Sequence, residues 1–432
     1  MLKAFLNAFR VPDLRNKILF TLFVVAVYRF GSHVPVPVVD ISSLQRQLAA
    51  QGSTGFLSLI NLFSGGALGR MAVFGLGIMP YITSSIIMQL LTVVIPKLQQ
   101  WQDQGETGTK KINQWTRYVT VVLALLQSTG LVFLFHSGNA AAGGIDVFPA
   151  TPHPTFTPPN VALIILTFTA GTACVMWLGE LITQRGVGNG MSILIFTSVI
   201  SRLPSEGHAI LLQGGTGKFV VILLIGLAII LAVVFIDQGQ RRIPIQYAKR
   251  VVGRRMTSGG STYLPLKVNQ AGVIPIIFAT SVLYFPTLLA SVIHGAWFQD
   301  FISKYVTNQK SLVYMALLTL LIIFFAYFYT AIQFDPVRTA DQIRKQGGFI
   351  PGIRPGPPTA NYLNYVLVRI TLPGSMFLAA IALIPSIVLA YWAFNQFPFG
   401  GTSVLITVGV ALETMKQIES QLMMRHYEGF LK

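Results

Sequence analysis

Charge is what this sequence has least of: Asp, Glu, Lys and Arg make up 10% of its 432 residues, where an ordinary soluble domain carries roughly 25%. That excludes a solvated surface over most of the chain. Acids are the scarcer sign, 14 against 31 Lys and Arg, for a formal net charge of +17. Cysteine is down to one residue, Cys174, inside an apolar run, so no intrachain disulfide can form and neither a thiol nor a metal role is expected of it. Catalytic signatures are missing as well. The chain has no HExxH zinc motif and no GxSxG elbow. GGTGK at 214–218 stops short of a phosphate loop, because Phe219 stands where a Ser or Thr is needed. The six histidines fall singly in loops or at the ends of apolar runs. The expectation is a protein that is not an enzyme and uses no cofactor.

What is present is hydrophobic sequence, 53% of the chain, gathered in runs near the ~20 residues a helix needs to cross roughly 30 Å of hydrocarbon. Divided at charged or Gly/Pro breaks, the runs predict ten spans, at 18–34, 72–95, 118–135, 161–182, 191–203, 219–236, 273–293, 312–332, 370–394 and 400–416. The fold class expected is an all-α polytopic membrane protein. The fifth and tenth spans are short or polar enough to be re-entrant or interfacial pieces, so a count of eight or nine stays open. At the N-terminus, MLKAFLNAFRVPDLRNK is basic and amphipathic with no small-residue cleavage site after it, and it reads as an interfacial helix rather than a signal peptide. INLFSGGALGR, residues 60–70, is different again. It is apolar, too short to cross a bilayer and interrupted by Gly65 and Gly66, each of which weakens a helix by about 1 kcal/mol.

With the N-terminus on the cytoplasmic side, 24 of the 31 Lys and Arg fall in cytoplasmic segments. Dropping one interior span would invert every later loop, so this bias supports ten spans with both termini inside. The outer connection 137–160 is nearly uncharged and rich in Gly, Pro and Thr. Two inner loops are long and basic. The first, about 237–270, includes GQRRIPIQYAKRVVGRRMTSGGSTYLPLKVN, whose alternation predicts a short hairpin with an exposed GRR at 253–255. The second, about 334–368, carries Arg354 between two Gly/Pro turns. Topology and anionic lipid account for basic residues beside a span. They do not account for charges many residues from the bilayer, which suit docking to a large acidic partner, nucleic acid or protein.

Two stretches echo each other. GIMPYITSSI (77–86) and GVIPIIFATSV (272–282) both read Gly-x-x-Pro-x-Ile followed by small and hydroxyl residues. They lie in spans five apart, and an odd number of spans per half makes the repeat an inverted one, with the pathway at the interface between halves. Pro80 then matches Pro275, and Ile82 matches Ile277. A proton- or ion-coupled transporter places carboxylates near the midplane. Here all fourteen acids fall in loops or near span ends, Glu180 and Glu413 being the nearest exceptions. An inverted-repeat secondary transporter is therefore the second reading, and a lipid-modifying enzyme the third.

GIMPYITSSIIMQLLTVVIP, RRIPIQYAKR, GRR, LPLKVNQAGVIP and FIPGIRPG together resemble the SecY family of protein-conducting channels, over essentially the whole chain and in family order. The resemblance implies ten transmembrane helices in two inverted five-helix halves, 1–210 and 211–432, closed like a clamshell. It implies a pore for unfolded secretory polypeptide that also releases transmembrane segments sideways into lipid, through a lateral gate mainly between spans 2 and 7. It also implies a short plug helix in the 60–70 stretch: Ile60, Asn61, Leu62, Phe63, Ser64, Gly65, Gly66, Ala67, Leu68, Gly69 and Arg70. Matching motifs puts the pore ring at Ile82, Ile86, Met191, Ile195, Ile277 and Ile406. The expected partners are the small membrane subunits SecE and SecG, the SecA ATPase or the ribosome docking at Arg250, Arg254, Arg255 and Arg354, signal peptides and nascent chains, and anionic lipid. The location implied is a bacterial cytoplasmic membrane.

Overall fold

The computed structural model describes residues 9, 11–37, 39, 64–136, 157–247, 250–252, 255–257, 261–292, 297, 301–307, 311–392 and 401–428. Within them the chain forms α1 (Pro12–Gly31), α2 (Met79–Val94), α3 (Pro96–Asp103), α4 (Glu106–His136), α5 (Pro158–Arg185), α6 (Gly190–Ile200) and α7 (Leu203–Gln238). Four strands follow: β1 (Gln240–Tyr247), β2 (Arg250–Val252), β3 (Arg255–Thr257) and β4 (Ser261–Lys267). Then come α8 (Ile274–Val292), α9 (Leu312–Gln333), α10 (Pro336–Lys345), β5 (Gly348–Phe349), α11 (Pro357–Trp392) and α12 (Gly401–Glu428).

Proline sets many of the helix starts. α1, α2, α3, α5, α7 and α10 each have one in the first two positions, where the missing N–H has no intrahelical partner to lose. Side-chain caps act at two starts: the Asn189 carbonyl oxygen accepts from the Met191 and Ser192 amides of α6, and Asp335 does the same for Val337 and Arg338 in α10, in addition to its proline. Pro96 restricts Ile95 to an extended conformation, so α3 leaves α2 at a bend of 100°. α7 is interrupted at Gly215 (φ 71°, ψ 171°), a conformation that only glycine adopts readily.

Each of the ten apolar runs overlaps a helix. Among the described residues, five helical stretches are long and apolar enough on their own to cross a bilayer: Glu106–Phe133, Pro158–Arg185, Gly215–Gln238, Leu312–Lys345 and Pro357–Ile384; α2 with α3 makes a sixth as a bent pair. α6, the weak fifth run, has only 11 residues. Several boundaries differ from expectation: α4 and α7 begin well before 118 and 219, α12 runs past 416, and two more differ for plain physical reasons. The run 72–95 becomes a helix only from Met79, because residues 71–78 fold as turns in which Gly77 takes φ 57°. α11 begins at Pro357, 13 residues before the run at 370, since its first turns are polar and carry no span-like signal.

The predicted hairpin forms. β1 pairs antiparallel with β4, setting Ile243 opposite Leu264 and Ile245 opposite Thr262, and β2 pairs with β3. The two basic loops are also one structure, because β5 adds to the free edge of β1. Alternation sends Ile243, Ile245 and Leu266 inward. Ile243 and Leu266 pack with Ala340 of α10, Ile350 just after β5 and Leu363 of α11, all within the second loop.

Helix packing depends on small residues. Gly179 of α5 and Gly190 of α6 meet backbone to backbone, and Gly171 lies against the Val73 carbonyl; none of the three leaves room for a Cβ. Two large apolar cores result. One joins α1, the 71–78 turns, α2, α5 and α6 to Ile277 and Phe278 of α8 and Ile406 of α12. The other is built from α7, α8, α9, α11 and α12.

Candidate functional site

The sequence echo is a backbone echo. Gly77 and Gly272 take matching left-handed conformations, φ 57° and 63°, two residues before α2 and α8 begin. In each case the residue after the glycine caps the helix. Tyr81 and Ile82 donate to the Ile78 carbonyl at 3.1 Å, as Ile276 and Ile277 donate to the Val273 carbonyl at 3.1 and 3.4 Å. Pro80 and Pro275 both fall at the second helical position. Equivalent chemistry thus launches the two helices that carry Ile82 and Ile277.

Those two isoleucines meet the other four ring candidates in one place. Ile82 and Ile86 of α2, Met191 and Ile195 of α6, Ile277 of α8 and Ile406 of α12 belong to a single apolar cluster. Five of them are buried to 2–9% exposure, and Ile82 packs against them partly buried. Among the described residues the buried polar side chains are Ser, Thr and Asn269, with no buried Asp, Glu, Lys or Arg. Glu180, one of the two acids nearest the spans, receives a 2.6 Å hydrogen bond from Arg117 Nε, tying α5 to α4. Its carboxylate is already partnered.

Residues 64–72 lie against α1 and α6. Gly65 and Gly66 are left-handed (φ 65° and 87°), and Leu68–Arg70 form one tight helical turn rather than an α-helix. Ala67, Leu68, Met71 and Ala72 are all within 3% of full burial. Ser64 Oγ accepts from the Leu68 amide at 3.2 Å. Beyond the turn, Val36 donates to the Met71 carbonyl at 2.7 Å and Val73 to the Val34 carbonyl at 2.8 Å, so a short extended contact fixes the exit. At the entry, Arg29 Nη1 donates to the Gly65 carbonyl at 3.2 Å. Behind it, the buried Tyr28 hydroxyl pairs with Ser198 Oγ at 2.7 Å and its ring stacks on Phe74. Ile60, Asn61, Leu62 and Phe63 lie outside the described residues.

Of the docking candidates, Arg250 falls in β2 and Arg255 in β3, paired with Thr257 and Val252 respectively. Arg254 lies outside the described residues. Arg354 is exposed between β5 and α11, flanked by left-handed Gly352 and Gly356, and its carbonyl accepts from Thr359 Oγ1 at 2.9 Å. The side chain is thus presented by backbone geometry rather than by packing. Sequence reasoning did not single out Arg29, Asp103 or Arg338. For Arg29 a signal existed, an arginine inside the first apolar run; for the other two the partners are too far apart in sequence to have been matched.

Comparison with known proteins gives a consistent result. The family model described as SecY matches residues 72–415. The chain is 54% identical over 439 residues to the protein translocase subunit SecY of Streptomyces coelicolor, with 100% of each chain covered. Its fold is similar to two solved structures. One is described as the structure of a protein conducting channel, with a TM-score of 0.64 and 19% identity, over 94% of this chain and 91% of that one. The other work reports that the plug domain of the SecY protein stabilises the closed state of its translocation channel and maintains a membrane seal; its TM-score is 0.61 at 19% identity, with 94% and 91% covered. At that identity these structures bear on the fold alone.

Proposed function

The chain belongs to the SecY family, and from that membership we propose that it is the channel by which unfolded polypeptide crosses a bacterial cytoplasmic membrane and apolar segments pass sideways into lipid. One observation carries the reading furthest: six apolar side chains from α2, α6, α8 and α12 converge in one cluster. A collar of this kind has no groups to replace an ion's hydration shell and offers an extended chain no specific partner that would hold it. It excludes water when shut, and it deforms around any sequence when occupied.

In this reading ten helices cross the membrane as two inverted halves, 1–210 and 211–432, with both termini in the cytoplasm. The paired starts of α2 and α8 support the repeat. Residues 60–70 act as a plug whose glycines and single tight turn suit an element that must leave when a chain enters. The lateral gate is the seam between α2 on one side and α8 with α9 on the other. An apolar signal helix opens it by replacing their mutual contacts with its own, a population shift in which no bond is made or broken.

Driving force comes from partners. SecA or the ribosome docks on the joined basic loops through Arg250, Arg254, Arg255 and Arg354, SecE and SecG complete the complex, and anionic lipid surrounds its cytoplasmic rim. The test is import into vesicles carrying the purified complex, supplied with SecA, ATP and a preprotein. The preprotein should become protected from added protease. Preprotein that stays fully digestible, while the same SecA and ATP serve a known translocase, would overturn the reading.

A further inference from the structure

Asp103 is the last residue of α3 and Arg338 lies in the first turn of α10. They are 235 positions apart, yet Arg338 Nη2 donates to Asp103 Oδ1 at 2.7 Å. Asp335, which caps α10, holds the same guanidinium from its own side, with Oδ2 3.4 Å from Nε. The arginine is therefore oriented by a carboxylate of its own helix before it reaches the one across the gap.

The pair's position gives it leverage. α3 is joined to α2 through the single residue Ile95, and α10 to α9 through Phe334 and Asp335. Motion of α2 or α9 is passed directly to these surface helices. Deeper in the protein the same two sides meet in the apolar waist: α2 brings Ile82 and Ile86, while Phe278 of α8 stacks on Phe325 of α9 with ring centroids 5.1 Å apart. The ion pair thus bridges the α2 side and the α8–α9 side at the end of the seam facing the basic loops, where α10 packs beside β5 and α11.

We propose that Asp103 and Arg338 are positioning residues that hold the loop-side mouth of the α2/α8–α9 seam closed at rest. This inference rests on the reading that the seam parts to admit a chain. Parting moves α3 away from α10 and separates the two charges; once apart, each is solvated, because both side chains are about half exposed (46% and 58%). An exposed pair is a modest tie that salt weakens. That is what a gate needs if an arriving partner is to open it. Coupling between the two charges biases the resting equilibrium about two- to fivefold, without affecting the strength of the waist itself.

The experiment uses the full-length chain in its purified complex, in vesicles, with Cys174→Ser and spin labels at the exposed Gln99 of α3 and Gln342 of α10. Asp103→Asn and Arg338→Gln should each broaden the resting label distance towards longer values. Each should also raise transport of a preprotein with a defective signal sequence about two- to fivefold, and the double variant should do no more than either single one. Raising salt should broaden the distance in the parent protein and change little in the variants. Additive single effects, or resting distances identical to the parent, would overturn the inference. A separate arm tests the underlying reading: an arrested preprotein in the parent complex should lengthen the distance. If it does not, the seam itself has been misassigned; if it does while the variants rest like the parent, only the role of the pair falls.

Discussion

Arg29 Nη1 and the carbonyl oxygen of Gly65 stand 3.2 Å apart, joining the C-terminal end of α1 to the turn that begins the described part of the proposed plug. The bond reaches over 36 positions. Loss of a hydrogen bond to a charged donor costs about 1.5–3 kcal/mol in a sheltered site, and Arg29 is not fully buried, so the lower end applies. Arg29→Gln should therefore raise the resting open fraction roughly tenfold. The measurement is single-channel recording in planar bilayers without substrate. Unchanged resting conductance would remove Arg29 from the plug's seat.

Gly65 and Gly66 are both left-handed but differ in surroundings. A Cβ on Gly65 would lie 2.9 Å from Arg29 Nη1, 3.0 Å from Ser198 Cα and 3.1 Å from Ser201 Oγ, whereas one on Gly66 meets nothing within 4 Å. Gly66→Ala should carry only backbone strain, about 1–2 kcal/mol. Gly65→Ala adds a steric clash and displaces the Arg29 contact. Resting ion leak should rise clearly more for Gly65→Ala than for Gly66→Ala, and deletion of 60–70 should leak most while leaving the protein inserted. Equal leaks from the two alanine variants would contradict the seat described above.

Arg354→Glu places the opposite charge on a loop whose shape is set by Gly352, Gly356 and the Thr359 bond rather than by the arginine side chain. The variant should fold and insert normally. SecA-driven export should fall by about tenfold or more, as expected when like charges are brought together in a docking interface. Normal export at physiological salt would take Arg354 out of the docking surface.

The helices were legible because an apolar run long enough to span a bilayer leaves few alternatives, and the internal echo was legible because glycine and proline carry conformation in their names. Gly77 and Gly272 take the same backbone shape because no other residue adopts it as cheaply. Hydropathy misplaces the start of α2 for the opposite reason: Ala72, Phe74, Leu76 and Ile78 are as apolar as a span, but they are buried in turns, and hydropathy does not distinguish burial in protein from burial in lipid. The polar opening of α11 and the third strand β5 carried no periodic signal. Arg29–Gly65 and Asp103–Arg338 were invisible because each needs a partner that only the folded chain supplies. The six ring residues were placed by motif resemblance, since any one isoleucine taken alone reads as ordinary helix packing.

The waist is tested most directly by catching a chain in it. On a Cys174→Ser background, cysteines at Ile82 and Ile277 should both crosslink to a secretory preprotein arrested halfway by a folded C-terminal domain, while a cysteine at Leu320, exposed on the outer face of α9, should not. Crosslinks at Leu320 with positions 82 and 277 silent would mean that the polypeptide travels by another route.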